Sequence, residues 1–253
     1  MTKEEVLQQC TIDGNIVRLP KIQLDRKLYL DTAKALNLIG GKWTGGKVAG
    51  FVFPVGYEEE LQSLINKLAG GEKLNPKKEY QFFETPIELA RQLIYYADID
   101  RLNCHLRILE PEAGQGAIVK VIFEKENIRQ VDCCELMEIN RTFLEKIEGV
   151  LIIANDFFSL SDAYNDYYDR IIANPPFTNN QDIDHIRKMY ECLKTGGRLV
   201  TVASKHWEIA SGRKETEFKN WLDNLGADII QISDGTFKES GTMVGGFIII
   251  IDK

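Results

Sequence analysis

From about residue 80 onward the sequence alternates helix-period segments with short runs of buried-strand character, and no other feature constrains the fold as much. Runs such as RILEP, QVDCCEL, VLIIAND and YDRIIANPP are largely apolar on both faces, and they are separated by amphipathic stretches such as AIVKVIFEKEN, INRTFLEKIEG and ETEFKNWLDNLG. Strands buried on both sides require helices over both faces, so repeated units of this length specify a doubly wound, mostly parallel sheet. RLVTVAS, ADIIQIS and VGGFIIIID bring the expected strand count to seven. In such a sheet, ligands bind outside the carboxyl ends of the strands, where the strand order reverses.

Residues 1–78 read differently, as a small α+β region preceding the sheet domain of residues 79–253. KLYLDTAKALNLIGG and EEELQSLINKLAGGEK have helical apolar spacing and each closes on a glycine pair. Between them, KWTGGKVAGFVFPV reads as a hairpin in which Gly45 and Gly46 supply positive backbone angles. LKTGG is read as the end of the helix that starts at DIDHIRKMYEC.

Net charge is -7, although basic residues outnumber acidic ones in the front region, so the acid excess lies in the sheet domain. That balance is not that of a generally basic surface and weakly opposes avid, non-specific nucleic-acid binding. It leaves a local basic face, formed by Lys21, Arg26, Lys27, Lys34, Lys42 and Lys47, with Trp43 on the hairpin either to stack against a base or to pack the hairpin itself. The charged start MTKEEVLQQC lacks the pattern of a secretory signal, and GGFIIIID is far shorter than the roughly 18 residues of a membrane helix. Five cysteines without paired spacing are expected as free thiols of a cytoplasmic protein, and three scattered histidines suggest no metal site.

The polar residues at the strand ends carry the chemistry. LEPEAGQG places Gly114 and Gly116 in a strand-to-helix turn, where a missing side chain lets backbone approach a ligand, although a plain tight turn needs the same residues. Glu135 closes the next strand 19 residues beyond Gly116, a spacing at which a carboxylate meets ribose hydroxyls. NDFF puts Asp156 at the third strand end to accept from an exocyclic amine, with Phe157 or Phe158 to cover its ring or to pack the core. The fourth strand ends in Asn174-Pro175-Pro176-Phe177. Two prolines stiffen the loop and remove N–H groups, so the Asn174 side-chain carbonyl and the Pro175 carbonyl stand as two fixed acceptors. Such a pair suits an amino group with two hydrogens, and Phe177 offers a face to the ring that carries it.

NPPF after the fourth strand, LEPEAGQG in the first turn and QFFETPIELARQLI upstream together resemble the S-adenosylmethionine-dependent DNA N6-adenine methyltransferases, in the motif order of the gamma class. The resemblance covers residues 80–251 and implies a class I, Rossmann-like methyltransferase domain. It implies Phe83, Thr85, Pro86, Glu110, Ala113, Gly114 and Gly116 on the methionine side of S-adenosylmethionine, Glu135 on the ribose, and Asp156 with Phe157 on the adenine. Glu112 stands where members of the family often have a small residue, and it is expected to point away or to cap the following helix. The implied reaction methylates N6 of an adenine flipped out of DNA into the NPPF pocket, with Asn174, Pro175, Pro176 and Phe177 as the catalytic motif. RNA bases and glutamine amides are alternative acceptors for the same clamp, and a binding module without turnover is a third reading. Gamma-class enzymes usually carry a target-recognition domain after the catalytic sheet, whereas this sequence stops two residues past its last expected strand, so recognition is expected in the front region through Lys42, Trp43 and Lys47, in SKHWEIASGRKETEFKNW, or in a partner, which in a restriction-modification setting includes a nuclease, or else to be slight. Lys238, Ser240 and Thr242 form a polar stretch suited either to a phosphate or to a hairpin turn.

Overall fold

The computed structural model describes residues 1–53, 61–72, 85–100, 106–236 and 245–253. The chain divides into two compact units, Met1–Tyr80 and Gln81–Lys253.

In the first unit, α1 (Lys3–Gln8) opens with a reciprocal cap: Thr2 Oγ1 accepts the Glu5 N–H, and the Glu5 carboxylate accepts the Thr2 N–H. A short hairpin follows, β1 (Thr11–Asp13) and β2 (Ile16–Arg18), turned at Gly14 with φ of 56°. Next come α2 (Arg26–Leu38), capped by Asp25, then β3 (Lys42–Thr44), β4 (Gly50–Val52) and α3 (Leu61–Ala69). The four strands form an antiparallel sheet in the order β1-β2-β4-β3, with Trp43 opposite Phe51. Val6, Leu7, Val17, Leu36, Phe51 and Leu61 form its buried interior. The 42–52 hairpin therefore forms, but with one correction: Gly46 takes the left-handed conformation at φ 66° and the second such residue is Ala49 at φ 42°, whereas Gly45 does not adopt it.

The second unit runs α4 (Ile87–Ala97), β5 (Ile108–Glu110), α5 (Ala117–Ile122), β6 (Val131–Cys134), α6 (Glu138–Leu144), β7 (Val150–Ala154), β8 (Tyr168–Ala173), α7 (Gln181–Cys192), β9 (Leu193–Ser204), α8 (His206–Ile209), α9 (Arg213–Leu225), β10 (Asp228–Gln231) and β11 (Gly246–Asp252). Its seven strands lie in the order β10-β11-β9-β8-β5-β6-β7, and β11 alone runs against its neighbours. Successive residues of a strand face opposite sides, and the core divides accordingly. Ile172, Val200, Val202 and Ile248 pack with α4 and α5, whereas Ile171, Ala173, Leu199 and Ile249 pack with α7 and α9. Each such buried aliphatic side chain contributes roughly 1.5–3 kcal/mol, which is why these strands read as continuous apolar runs.

Two details differ from the sequence reading. Helix α7 ends at Cys192, not at the glycines: Leu193 is already extended (φ -76°, ψ 129°) and begins β9. Gly196 then turns at φ 79° within that strand, its N–H donating to the Lys253 carbonyl. Second, β6 ends at Cys134 and β7 at Ala154, so Glu135 and Asp156 stand just beyond their strands. Chain order reverses between β5 and β8, which makes the carboxyl ends of these two strands the switch point. Among the described residues, no helix is long and apolar enough to cross a membrane.

Candidate functional site

The turn from β5 to α5 is fixed by backbone bonds to the neighbouring strand. Ala113 N–H donates to the Cys134 carbonyl at 3.0 Å, and Gly116 N–H donates to the Ala113 carbonyl at 2.8 Å. Gly114 and Gly116 both lie in the left-handed region, at φ 54° and 79°. At Gly116 a Cβ would stand 2.6 Å from Ile147 Cδ1, the end of a side chain that can shift, so it is the left-handed angle more than packing that calls for glycine.

Glu135 is buried and ties this turn to its own. Its Oε2 accepts Gly114 N–H at 2.7 Å, and its Oε1 accepts Met137 N–H at 2.7 Å and Asn140 Nδ2 at 3.2 Å. Burial pushes its pKa up, opposed by these donors. Asn140, which the sequence reading did not single out, also accepts from Gln115 Nε2 at 3.2 Å. Glu110 is buried too, and one of its oxygens, Oε2, has no hydrogen-bond partner among the described residues. Burial first, and the neighbouring Glu112 second, push its pKa well above the carboxylate range, so its neutral acid form is favoured.

Glu112 does not cap α5, whose first turn has no side-chain cap. It meets His185 of α7 through Oε1 and Nδ1, leaving Oε2 buried without a partner among the described residues. The cap is replaced by a histidine 73 residues further along the chain, which local sequence does not bring into view.

At the ends of β6 and β7, Asp156 uses Oδ1 to accept the Phe158 N–H at 2.9 Å. Phe157 is 3% exposed and belongs to the core, whereas Phe158 is 48% exposed. The ring free to cover a ligand is therefore that of Phe158, not Phe157. Leu136, just past Glu135, is likewise exposed, so two apolar groups frame the rim there.

Asn174 ends β8 with a fixed amide. Its Nδ2 donates to Thr85 Oγ1 at 3.1 Å, and its Oδ1 is buried with no hydrogen-bond partner among the described residues. Thr85 is itself buried, and Pro86 precedes the first turn of α4. Pro175 is buried, Pro176 and Phe177 are half-buried, and Phe177 packs against the α4–α5 side of the core. Leaving the loop, Asn179 and Asn180 are both left-handed, and Lys214 Nζ donates to the Asn180 carbonyl at 2.9 Å. Lys42, Trp43 and Lys47 are exposed in the first unit, and the Trp43 ring stands edge-on to Phe51 and Tyr29. Phe83, Lys238, Ser240 and Thr242 lie outside the described residues.

Residues 105–221 match the family model described as Methyltransferase small domain. The fold is similar to that of the type I restriction-modification methyltransferase subunit from Streptococcus thermophilus, with a TM-score of 0.56 at 16% identity over 68% of this chain. That match spans 45% of the Streptococcus chain, less than half its length. A putative RNA methyltransferase from Pyrococcus horikoshii matches at a TM-score of 0.52 and 16% identity, over 71% of this chain and 90% of that one. Spermidine synthase from Thermotoga maritima matches at 0.50 and 11%, over 67% and 61%. No curated protein sequence matches this chain. The fold is that of the class I, Rossmann-like methyltransferases. What these matches share with this chain is a fold, one that S-adenosylmethionine-dependent methyltransferases have in common with spermidine synthases.

The site fits that cofactor. The turn at Gly114 presents a side-chain-free stretch of backbone, and Leu136 and Phe158 are exposed apolar groups suited to a purine ring. Glu110 keeps a buried oxygen without a hydrogen-bond partner among the described residues, an acceptor that a positively charged ligand could use.

Proposed function

We propose that the protein transfers the methyl group of S-adenosylmethionine to the exocyclic N6 of adenine in DNA. The observation that carries this reading is Asn174 Oδ1, a buried acceptor left open while the other end of the amide is held by Thr85. A buried carbonyl oxygen without a partner costs about 1–3 kcal/mol, and a donor arriving from a substrate removes that cost. Beside it, the stiff Pro175 carbonyl supplies a second acceptor, so an amino group finds one oxygen for each hydrogen.

An aryl amine is a weak nucleophile because its lone pair is delocalised into the ring. Two fixed acceptors favour a tetrahedral nitrogen and stabilise the positive charge that grows on it, and they require no reorganisation during the reaction. Phe177 stacks on the flipped base, and duplex DNA must release that base first. Thr85 and Pro86 with Glu110, Ala113, Gly114 and Gly116 would hold the methionine end of the cofactor, Glu135 the ribose, and Asp156 with Leu136 and Phe158 the adenine. Bound S-adenosylmethionine supplies an electrophilic methyl on a sulfonium. Lys42, Trp43 and Lys47, with the exposed lysines and arginine of the first unit, would contact the DNA backbone, and a separate target-recognition or nuclease subunit is the partner this reading implies.

The test is methyl transfer from labelled S-adenosylmethionine to unmethylated DNA, RNA and protein, followed by digestion and identification of the modified group. Label recovered as N6-methyladenine from DNA is expected. Label confined to RNA or to glutamine would move the substrate and keep the amino-group clamp.

A further inference from the structure

We propose that Glu112 and His185 accept the proton shed by the methylated amine, an inference that rests on the methyl-transfer reading above. Leu109 of β5 pairs with Ile171 of β8 on adjacent parallel strands. Glu112 lies in the turn that follows β5 and Asn174 directly follows β8, so both stand at the carboxyl ends of neighbouring strands. His185 belongs to α7, the helix that follows the Asn174–Phe177 loop, and its Nδ1 meets Glu112 Oε1. Both side chains are largely buried, at 11% and 16% exposure. The histidine ring is bounded by Phe157 and by the edge of Phe158, with centroids at 6.1 Å and 4.7 Å. Glu112 Oε2 remains buried and open.

The clamp itself cannot finish the reaction. Asn174 Oδ1 and the Pro175 carbonyl orient an N–H but do not hold its proton. The amine lone pair forms the nitrogen–carbon bond as the methyl–sulfur bond breaks, and sulfur keeps those two electrons. The nitrogen then carries one proton too many and a positive charge. With Nδ1–H donated to Glu112 Oε1, the pair has a charge of -1 and an open lone pair on Oε2. Taking up the proton makes it neutral, and the proton later passes to solvent.

The groups around the pair favour this role. Burial pushes the Glu112 pKa up, His185 lowers it, and Asp156 from the end of β7 raises it. Glu110 and Glu135 face the same turn, and Cys134 lies behind it. On α7 itself, Asp182 is turned away to accept the Ser204 N–H at 2.8 Å, and Asp184 pairs with Lys214. Glu112 is thus a carboxylate whose proton affinity its surroundings increase, with one histidine to share the load.

The first measurement needs no nucleic acid. Native protein with ring-labelled histidine is compared by NMR at one pH, alone, with S-adenosylmethionine and with S-adenosylhomocysteine; His185→Gln assigns the signal. A sulfonium next to the pair is expected to move the His185 ring signals relative to the neutral thioether. Identical His185 signals with both ligands bound would put the pair away from the methyl and overturn the proposal alone, whereas failure of both ligands to bind would sink the cofactor assignment beneath it. In single-turnover transfer, Glu112→Gln and His185→Gln are expected to be slower by about 100-fold, with cofactor affinity within about threefold of native. The native rate falls toward low pH as the pair fills with protons, and the variants lose that limb. An unchanged plateau rate and profile in both variants would also overturn it.

Discussion

Glu135 and Asn174 end or follow neighbouring parts of one sheet, yet their polar groups are treated oppositely. Glu135 is saturated from within, by the N–H groups of Gly114 and Met137 and by Asn140. Asn174 has one end tied to Thr85 and the other left buried and open. Saturation ties Glu135 to the building of the edge, whereas the open acceptor of Asn174 leaves room for a donor, as the proposed reading requires. Glu135 can still serve a ribose, since each carboxylate oxygen has further lone-pair capacity, but its first task is to hold the turn.

This contrast breaks most sharply at Asn174. Asn174→Ala is expected to lower the rate of methyl transfer by about 100- to 1,000-fold, with S-adenosylmethionine affinity measured by calorimetry nearly unchanged. Full activity in that variant would remove the amino-group clamp. On the building side, Gly116→Ala should destabilise the second unit by about 1–2 kcal/mol, chiefly from left-handed strain, since Ile147 can shift away from the added Cβ. Denaturant unfolding measures this, and a native midpoint would mean that the turn yields freely.

Smaller effects sharpen the picture. Thr85→Val removes the anchor of the amide while keeping its shape, and should cost about tenfold in rate through misorientation of Asn174. Charge reversal at Lys42 and Lys47 should weaken DNA binding and reduce the slope of log affinity against log salt by up to about 2, with unchanged binding ruling that face out. The smallest effect concerns Glu110. Its folded pKa is raised, so the stability it confers is full below the unfolded carboxylate value and is lost as pH rises toward the folded one. Glu110→Gln should remove a slope of at most about 1.4 kcal/mol per pH unit, visible as a flatter melting temperature between mildly acid and neutral pH.

The parallel sheet was legible because double burial writes continuous apolar strands, as in YDRIIA and FIIII. The β1–β2 hairpin was missed although Asp13-Gly14 is a turn signal, because three-residue strands carry too little alternation to stand out. Helix α7 was drawn too long because LKTGG has no apolar period to decide its end. At the site, the residue types at strand ends were readable, but side-chain direction was not: Phe157 and Phe158 are neighbours in sequence and opposite in exposure. His185 was invisible for another reason. Its meaning comes from Glu112, and only the β5–β8 crossover brings the two together.

The exit of the Asn174–Phe177 loop carries a last consequence. Asn179 and Asn180 hold left-handed angles of 56° and 54°, which residues with a side chain adopt at some cost, and Asn180 is gripped by Lys214 and Glu215 at the start of α9. The Asn174–Phe177 loop is thus tied at its exit to a helix some 35 residues further along the chain, and substitutions at Lys214 or Glu215 would act on its shape from outside it.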